Sequence, residues 1–111
     1  MHELGITRNL VAIVADAAQG RRVRRVLLEI GERSAILPDA VRFCYDVVSQ
    51  GTALQGSALE ILMVAPGWHC GACGAVHGGA ADRCSHCGHG PLRQRSGDEL
   101  NIKAMEVETC A

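Results

Sequence analysis

At 111 residues the chain has room for one domain of ordinary size or two small ones. Apolar residues reach 48 % but aromatics only 3 %, so a core has to be built from Val, Leu, Ile and Ala. With 11 basic and 12 acidic residues the formal charge is −1, which offers no field to nucleic acid or an anionic membrane, and no apolar run approaches membrane-spanning length. The start of the chain lacks a basic stretch leading into an apolar signal core, so a soluble, cytoplasmic protein is expected. Six cysteines in a cytosolic chain read as metal ligands and buried thiols, not as a disulfide framework.

In chain order, Ile6, Leu10, Ile13, Val14 and Ala17 form a stripe at helical spacing, with a second row at Val11 and Ala18. This predicts an amphipathic helix over residues 4–19, closed by Gly20. Arg21, Arg22, Arg24 and Arg25 read as a solvated connection. Val26, Leu28 and Ile30 then alternate, predicting a strand that ends at Gly31. Pro38 suits a first helical position, and Val41, Cys44, Tyr45 and Val48 share one face of a second helix stopped by Gly51. Cys44 on that face reads as a buried, inert thiol. Residues 58–65 predict a second strand, broken at Pro66-Gly67.

Residues 66–96 change character: Gly and Cys dominate and large apolar side chains almost vanish. Such a stretch buries little on its own, so a metal has to supply its fold. Residues 99–108 return to strand composition, with a phase slip between Ala104 and Met105 of the kind a bulge produces. The expected fold is α+β: a three-stranded mixed sheet with two helices on one face, plus an inserted zinc-ribbon module. The first two strands are joined through a helix and should run parallel. The module is expected at the tip of an antiparallel pair made by the second and third strands. Residues 1–65 and 97–111 would form the main domain and 66–96 the zinc-binding one.

The module carries the strongest motif. Cys70-Gly71-Ala72-Cys73-Gly74 and Cys84-Ser85-His86-Cys87-Gly88 are two Cys-x-x-Cys-Gly knuckles. Each knuckle brings two thiolates to one point, and two knuckles make the four-sulfur set that suits a structural zinc. The glycine after each pair permits the left-handed conformation that closes the turn. Cys70, Cys73, Cys84 and Cys87 are therefore the candidate zinc ligands. Disulfides or a redox pair are the weaker alternatives in a chain without a secretion signal. His69, His77, His86 and His89 crowd the knuckles. Solvated loop positions are the default for them, and His69 and His86, each directly preceding a cysteine, are the preferred exceptions. Trp68 reads as a packing residue where the sheet meets the module, and Cys110 as a free thiol near a frayed end.

The chain begins Met1-His2-Glu3. A free α-amine, the next amide nitrogen and the imidazole of His2 can close two fused chelate rings on one ion, with the Glu3 amide or carboxylate as a further donor. Planar nitrogen donors of this kind favour Ni(II) or Cu(II). The bland alternative is a solvated terminus.

Met1-His2-Glu3 before an amphipathic helix, Ile30-Gly31-Glu32-Arg33-Ser34 after a strand, Phe43-Cys44-Tyr45-Asp46, the double knuckle and a short last strand together resemble the HypA/HybF family. The resemblance covers the whole chain in order. It implies a nickel metallochaperone for maturation of nickel–iron hydrogenase, a binding and delivery protein and not an enzyme. It carries the nickel-site roles to Met1, His2 and Glu3, and the zinc-ligand roles to Cys70, Cys73, Cys84 and Cys87. It implies a HypB-type GTPase and then the hydrogenase large subunit as partners, with a homodimer and a urease acceptor as further expectations. Many members place an acidic residue after the Gly-x-x-Ser segment; Leu37 stands at that position here and Asp39 follows as the candidate. Two rival classes are a nucleic-acid-binding or regulatory zinc ribbon and a rubredoxin-like electron carrier. The first lacks a basic face with aromatics, and iron–thiolate colour would reveal the second.

Overall fold

The structure is a computed structural model and describes residues 2–79 and 81–109; Met1 and Cys110, both named above, lie outside the described residues. The elements in order are α1 (His2–Ala18), β1 (Val23–Gly31), α2 (Pro38–Val48), β2 (Ala58–Val64), β3 (Gly67–Cys70), β4 (Val76–His77), β5 (Leu92–Ser96) and β6 (Leu100–Val107). They divide into two compact units. One holds Met1–Glu29, Ile36–Leu62 and Asn101–Ala111, the other Ile30–Ala35 and Met63–Leu100.

In the first unit α1 packs on α2. The buried face of α1 is Glu3, Thr7, Leu10, Val11, Val14 and Ala18. This corrects the expected stripe: Ile13 is 58 % exposed and Ala17 is exposed, while two polar residues take the inward positions near the start. The helix also begins at His2, not after Glu3. Thr7 explains part of this, because its hydroxyl donates to the Glu3 carbonyl at 2.6 Å and needs no other partner inside. Val41 and Tyr45 of α2 are buried as their spacing predicts, and Cys44 is half-buried. The Tyr45 hydroxyl meets Ser57 Oγ at 2.5 Å, which satisfies the one polar atom that this ring brings into the core.

Val26, Leu28 and Ile30 of β1 are buried in alternation, as expected. The strand order is β2-β1-β6, with β1 central. The expected pairing of the second strand with the last is therefore wrong: β2 and β6 flank β1 on opposite sides. β1 has buried positions at Val23, Val26, Leu28, Ile30 and Gly31, whereas the positions of β2 and β6 are half-buried or exposed, which suits β1 to the centre of a three-stranded sheet. β2 runs parallel to it, since Arg25 reaches Glu60 and, further along both strands, the Glu32 N–H donates to the Val64 carbonyl. β6 runs antiparallel: the Gly31 N–H donates to Glu99 O and the Glu108 N–H to Arg22 O. Burial alternates along β1 except at the exposed pair Arg24 and Arg25, and in β6 Ile102 and Val107 are the half-buried positions. Arg25 and Lys103 pair with Glu60, Glu106 and Glu29 across the strands, all within 3.8 Å and largely in water, so these pairs contribute little stability.

The second unit is built on a second three-stranded sheet, β4-β3-β5, which the sequence reading did not contain. β3 is central and antiparallel to both neighbours, with Trp68 opposite His77 and Cys70 opposite Leu92. The segment after β1 belongs to this unit. The Arg33 N–H donates to Gly97 O at 2.7 Å, and the Ser34 N–H and hydroxyl both donate to Gly31 O. The Arg33 guanidinium lies 5.8 Å from the centre of the Trp68 ring. Gly31 approaches the Gly97 backbone so closely that a Cβ would overlap the Gly97 carbonyl. The motif Gly31-Glu32-Arg33-Ser34 is thus read physically as a clasp on the chain that leads into and out of the knuckles.

Candidate metal sites

The two knuckles fold as the same turn made twice. The Cys70 N–H donates to Ala75 O and Gly74 N–H to Cys70 O; the Cys84 N–H donates to His89 O and Gly88 N–H to Cys84 O. Gly74 and Gly88 both have φ +78°, the left-handed conformation expected of the glycine after each pair. The result brings the sulfurs of Cys70, Cys73, Cys84 and Cys87 all within 4.8 Å of one another. Cys70 Sγ lies 3.6 Å from Cys87 Sγ, and Cys73 Sγ lies 3.7 Å from Cys84 Sγ. Both distances are far beyond a disulfide bond. A tetrahedral site with zinc–sulfur bonds of about 2.3 Å has sulfur–sulfur edges of about 3.8 Å, so the spacing fits that ion.

The electrostatics fit as well. The Cys87 amide, then the His77 ring and the His86 amide, draw the Cys84 thiol down to about 5 against its burial. Cys70 is also lowered, first by the Cys73 and Ala72 amides. The opposite partners lose that competition. Although the His89 amide donates to Cys87, burial and the sulfurs of Cys73, Cys70 and Cys84 push it up to about 12, and Cys73 is raised too. Four thiolates cannot sit side by side without a cation among them, and a divalent ion held by the four sulfurs would supply the missing charge. Cys70 and Cys84 also form the small core of this unit with Leu92, and Trp68, Ala75 and Cys87 pack against it. Leu92 and Trp68 are thus gathered directly onto the cysteines, while Val76 is exposed.

Of the histidines around the knuckles, His77 is the one whose ring meets a sulfur: its Nε2 lies 3.3 Å from Cys84 Sγ. The preference for His69 and His86 was misplaced. His69 sits in β3 opposite Arg93, and His86 touches Cys84 through its backbone N–H at 3.4 Å, with its ring exposed. The signal for His77 lay in strand pairing: β4 folds back on β3 and aims it at the second knuckle.

At the other candidate site, Met1 is outside the described residues. His2 is exposed in the first turn of α1, and Glu3 is 8 % exposed. The Glu3 carboxylate accepts the Leu37 N–H at 3.2 Å. Leu37 is the N-cap of α2 and its side chain is exposed; Asp39 is exposed in the first turn of that helix.

This arrangement defines a small α+β metal-binding protein, with a mixed sheet and two helices alongside a four-cysteine cluster. The chain belongs to the HypA family, whose model, described as hydrogenase/urease nickel incorporation metallochaperone, matches residues 1–107. It is 52 % identical over 111 residues to the hydrogenase maturation factor HypA of Trichormus variabilis, covering 97 % of this chain and 96 % of that one. It is 42 % identical over 110 residues to the HypA of Geobacter sulfurreducens, covering 97 % of this chain and all of that one. Among solved structures, a solution structure of HypA protein shares the fold with a TM-score of 0.77 at 23 % identity, covering 97 % of each chain. The solution structure of the nickel metallochaperone HypA from Helicobacter pylori does so with a TM-score of 0.67 at 24 % identity, covering 96 % of this chain and 97 % of that one.

Proposed function

We propose that this chain carries Ni(II) at its N-terminus and delivers it during maturation of nickel–iron hydrogenase, while a structural zinc holds the four thiols. The nickel donors are the α-amine of Met1, the imidazole of His2 and the backbone of Glu3. The observation that carries this reading is that His2 and Glu3 stand in the first turn of α1. The first N–H groups of a helix take no part in its own hydrogen-bond ladder, so a metal bound to backbone nitrogen in this turn costs the helix no bond of that ladder. The Glu3 carboxylate is engaged with the Leu37 amide, which favours the backbone of Glu3 as the donor.

Cys70, Cys73, Cys84 and Cys87 are the proposed zinc ligands. Zinc bound there closes the coordination sphere and folds the module; it performs no reaction. In this reading residues 1–65 and 97–111 are the nickel-binding domain and residues 66–96 the zinc-binding domain. An exposed terminal chelate can hand on its metal by ligand exchange, whereas a closed thiolate site retains it. The recipients proposed are a HypB-type GTPase and then the hydrogenase large subunit, with urease as a second acceptor, in the cytoplasm and with the protein as a homodimer. Among the described residues no helix is long and apolar enough to cross a membrane.

Elemental analysis of the purified, tag-free protein should give one zinc per chain, and nickel added in solution should leave that zinc in place. Stoichiometric loss of zinc on adding nickel would show that there is one metal site and not two.

A further inference from the structure

We infer that His77 is a positioning residue for the thiol cluster, donating its Nε2–H to Cys84 Sγ and so strengthening the hold of the four cysteines on their metal. The inference rests on the four-thiol zinc reading and adds a residue to it. His77 lies in the chain between the knuckles, in β4, a strand of only two residues. The β3 pairing places it opposite Trp68, and its ring reaches across to the second knuckle, 3.3 Å from the sulfur of Cys84. Cys84 is 2 % exposed, so water cannot solvate its charge. Its donors have to come from the protein, and the His86 backbone N–H at 3.4 Å is one of them. Backbone donors are built into any knuckle; His77 is the side-chain donor, and it comes from outside both.

The chemistry follows from charge. A divalent ion with four thiolates carries a net charge of −2. A hydrogen bond to sulfur spreads that charge onto the donor and holds the thiolate in a fixed orientation toward its metal. The position of His77 also matters sterically. Cys73 is the exposed member of the cluster, and a shallow hollow beside it is lined by Cys73, His77, Ser85 and His86. A competing chelator that entered this hollow would meet His77, whose ring also lies against Cys84.

The test uses the full chain with cobalt(II) in place of zinc. The native protein should show the intense visible bands of a tetrahedral four-thiolate site and a sulfur-to-cobalt charge-transfer band in the near ultraviolet. His77→Phe keeps the ring volume and removes the donor. Its visible bands should keep their four-sulfur character while the charge-transfer band moves to lower energy. Zinc affinity should drop roughly 10- to 100-fold, the usual consequence of losing a group that orients a ligand, with faster loss to a chelator. His77→Gln retains an N–H donor and should recover part of both effects; it also carries the test if the Phe variant does not fold. Unchanged charge-transfer energy and chelation rate in the folded variants would overturn the role. Native bands typical of three sulfurs and one nitrogen would overturn it differently, by making a histidine a ligand. Failure of the native protein to bind cobalt through thiolates would instead remove the four-thiol reading beneath it.

Discussion

The Glu3 carboxylate accepts the backbone N–H of Leu37 at 3.2 Å, which ties the first turn of α1 to the N-cap of α2. Leu37 offers no capping oxygen of its own, and the helix start has no side-chain cap. Glu3 is 8 % exposed, and its backbone carbonyl accepts the Thr7 hydroxyl, so the residue is anchored at both ends. The side chain thereby fixes the first turn of α1, the turn that holds the proposed nickel donors.

Glu3→Ala should therefore lower stability through loss of a hydrogen bond to a charged group, seen as a lower urea midpoint. Nickel binding should weaken, but less than in His2→Ala. A variant of native stability that has lost nickel as completely as His2→Ala would make the carboxylate a direct donor.

Gly31 and Gly5 make an opposed pair. A Cβ at Gly31 would overlap the Gly97 carbonyl, and neither backbone can move without disturbing the Arg33-to-Gly97 bond. Gly31→Ala should destabilise by about 1–3 kcal/mol or more, as overpacking does. Gly5 lies within α1 with nothing near its missing Cβ. Gly5→Ala should stabilise by about 0.5–1 kcal/mol through helix propensity. Thermal melts of the two variants should move in opposite directions; equal shifts would mean that the clasp at Gly31 is loose.

Chelating the metal should unfold the segment around the knuckles. A structural zinc contributes about 10–16 kcal/mol at neutral pH in small zinc domains, and the apolar core here is little more than Leu92, Trp68 and the ligands. Hydrogen exchange after chelation should show lost protection at the Cys70, Gly74, Cys84 and Gly88 amides, with the Val26 to Leu28 region still protected. Retained protection at the knuckles would show that the segment folds without metal. Cys84→Ser should behave as the chelated protein does.

Much of this was legible in the sequence, and the misses have physical causes. The knuckles could be read because four thiols at that spacing have few other uses, and β1 because Val26, Leu28 and Ile30 are buried on one face only. The face of α1 was misjudged because hydrophobic periodicity counts Ile13 and cannot count Glu3 or Thr7, which are buried through hydrogen bonds. The order β2-β1-β6 is a long-range property that local alternation does not encode. The second sheet escaped because β3 and β5 hold Gly67, His69, Arg93 and Arg95, residues with no strand signature, beside the thiol cluster.

His2→Ala should bind no specific nickel while keeping its zinc, because it removes the proposed imidazole donor and leaves the four thiols untouched. Metal analysis of the two proteins after nickel loading checks this. Native nickel affinity in His2→Ala would take His2 out of the site.

The most direct test of the central claim is a nickel titration of the tag-free protein beginning at Met1 beside the same protein with one additional N-terminal residue. The extension turns the α-amine of Met1 into an amide and displaces the chelate rings, yet leaves the four thiols untouched. The account predicts that the extended protein keeps one zinc and loses specific Ni(II) binding. Equal nickel affinity in the two proteins would contradict it and move the site away from Met1, His2 and Glu3.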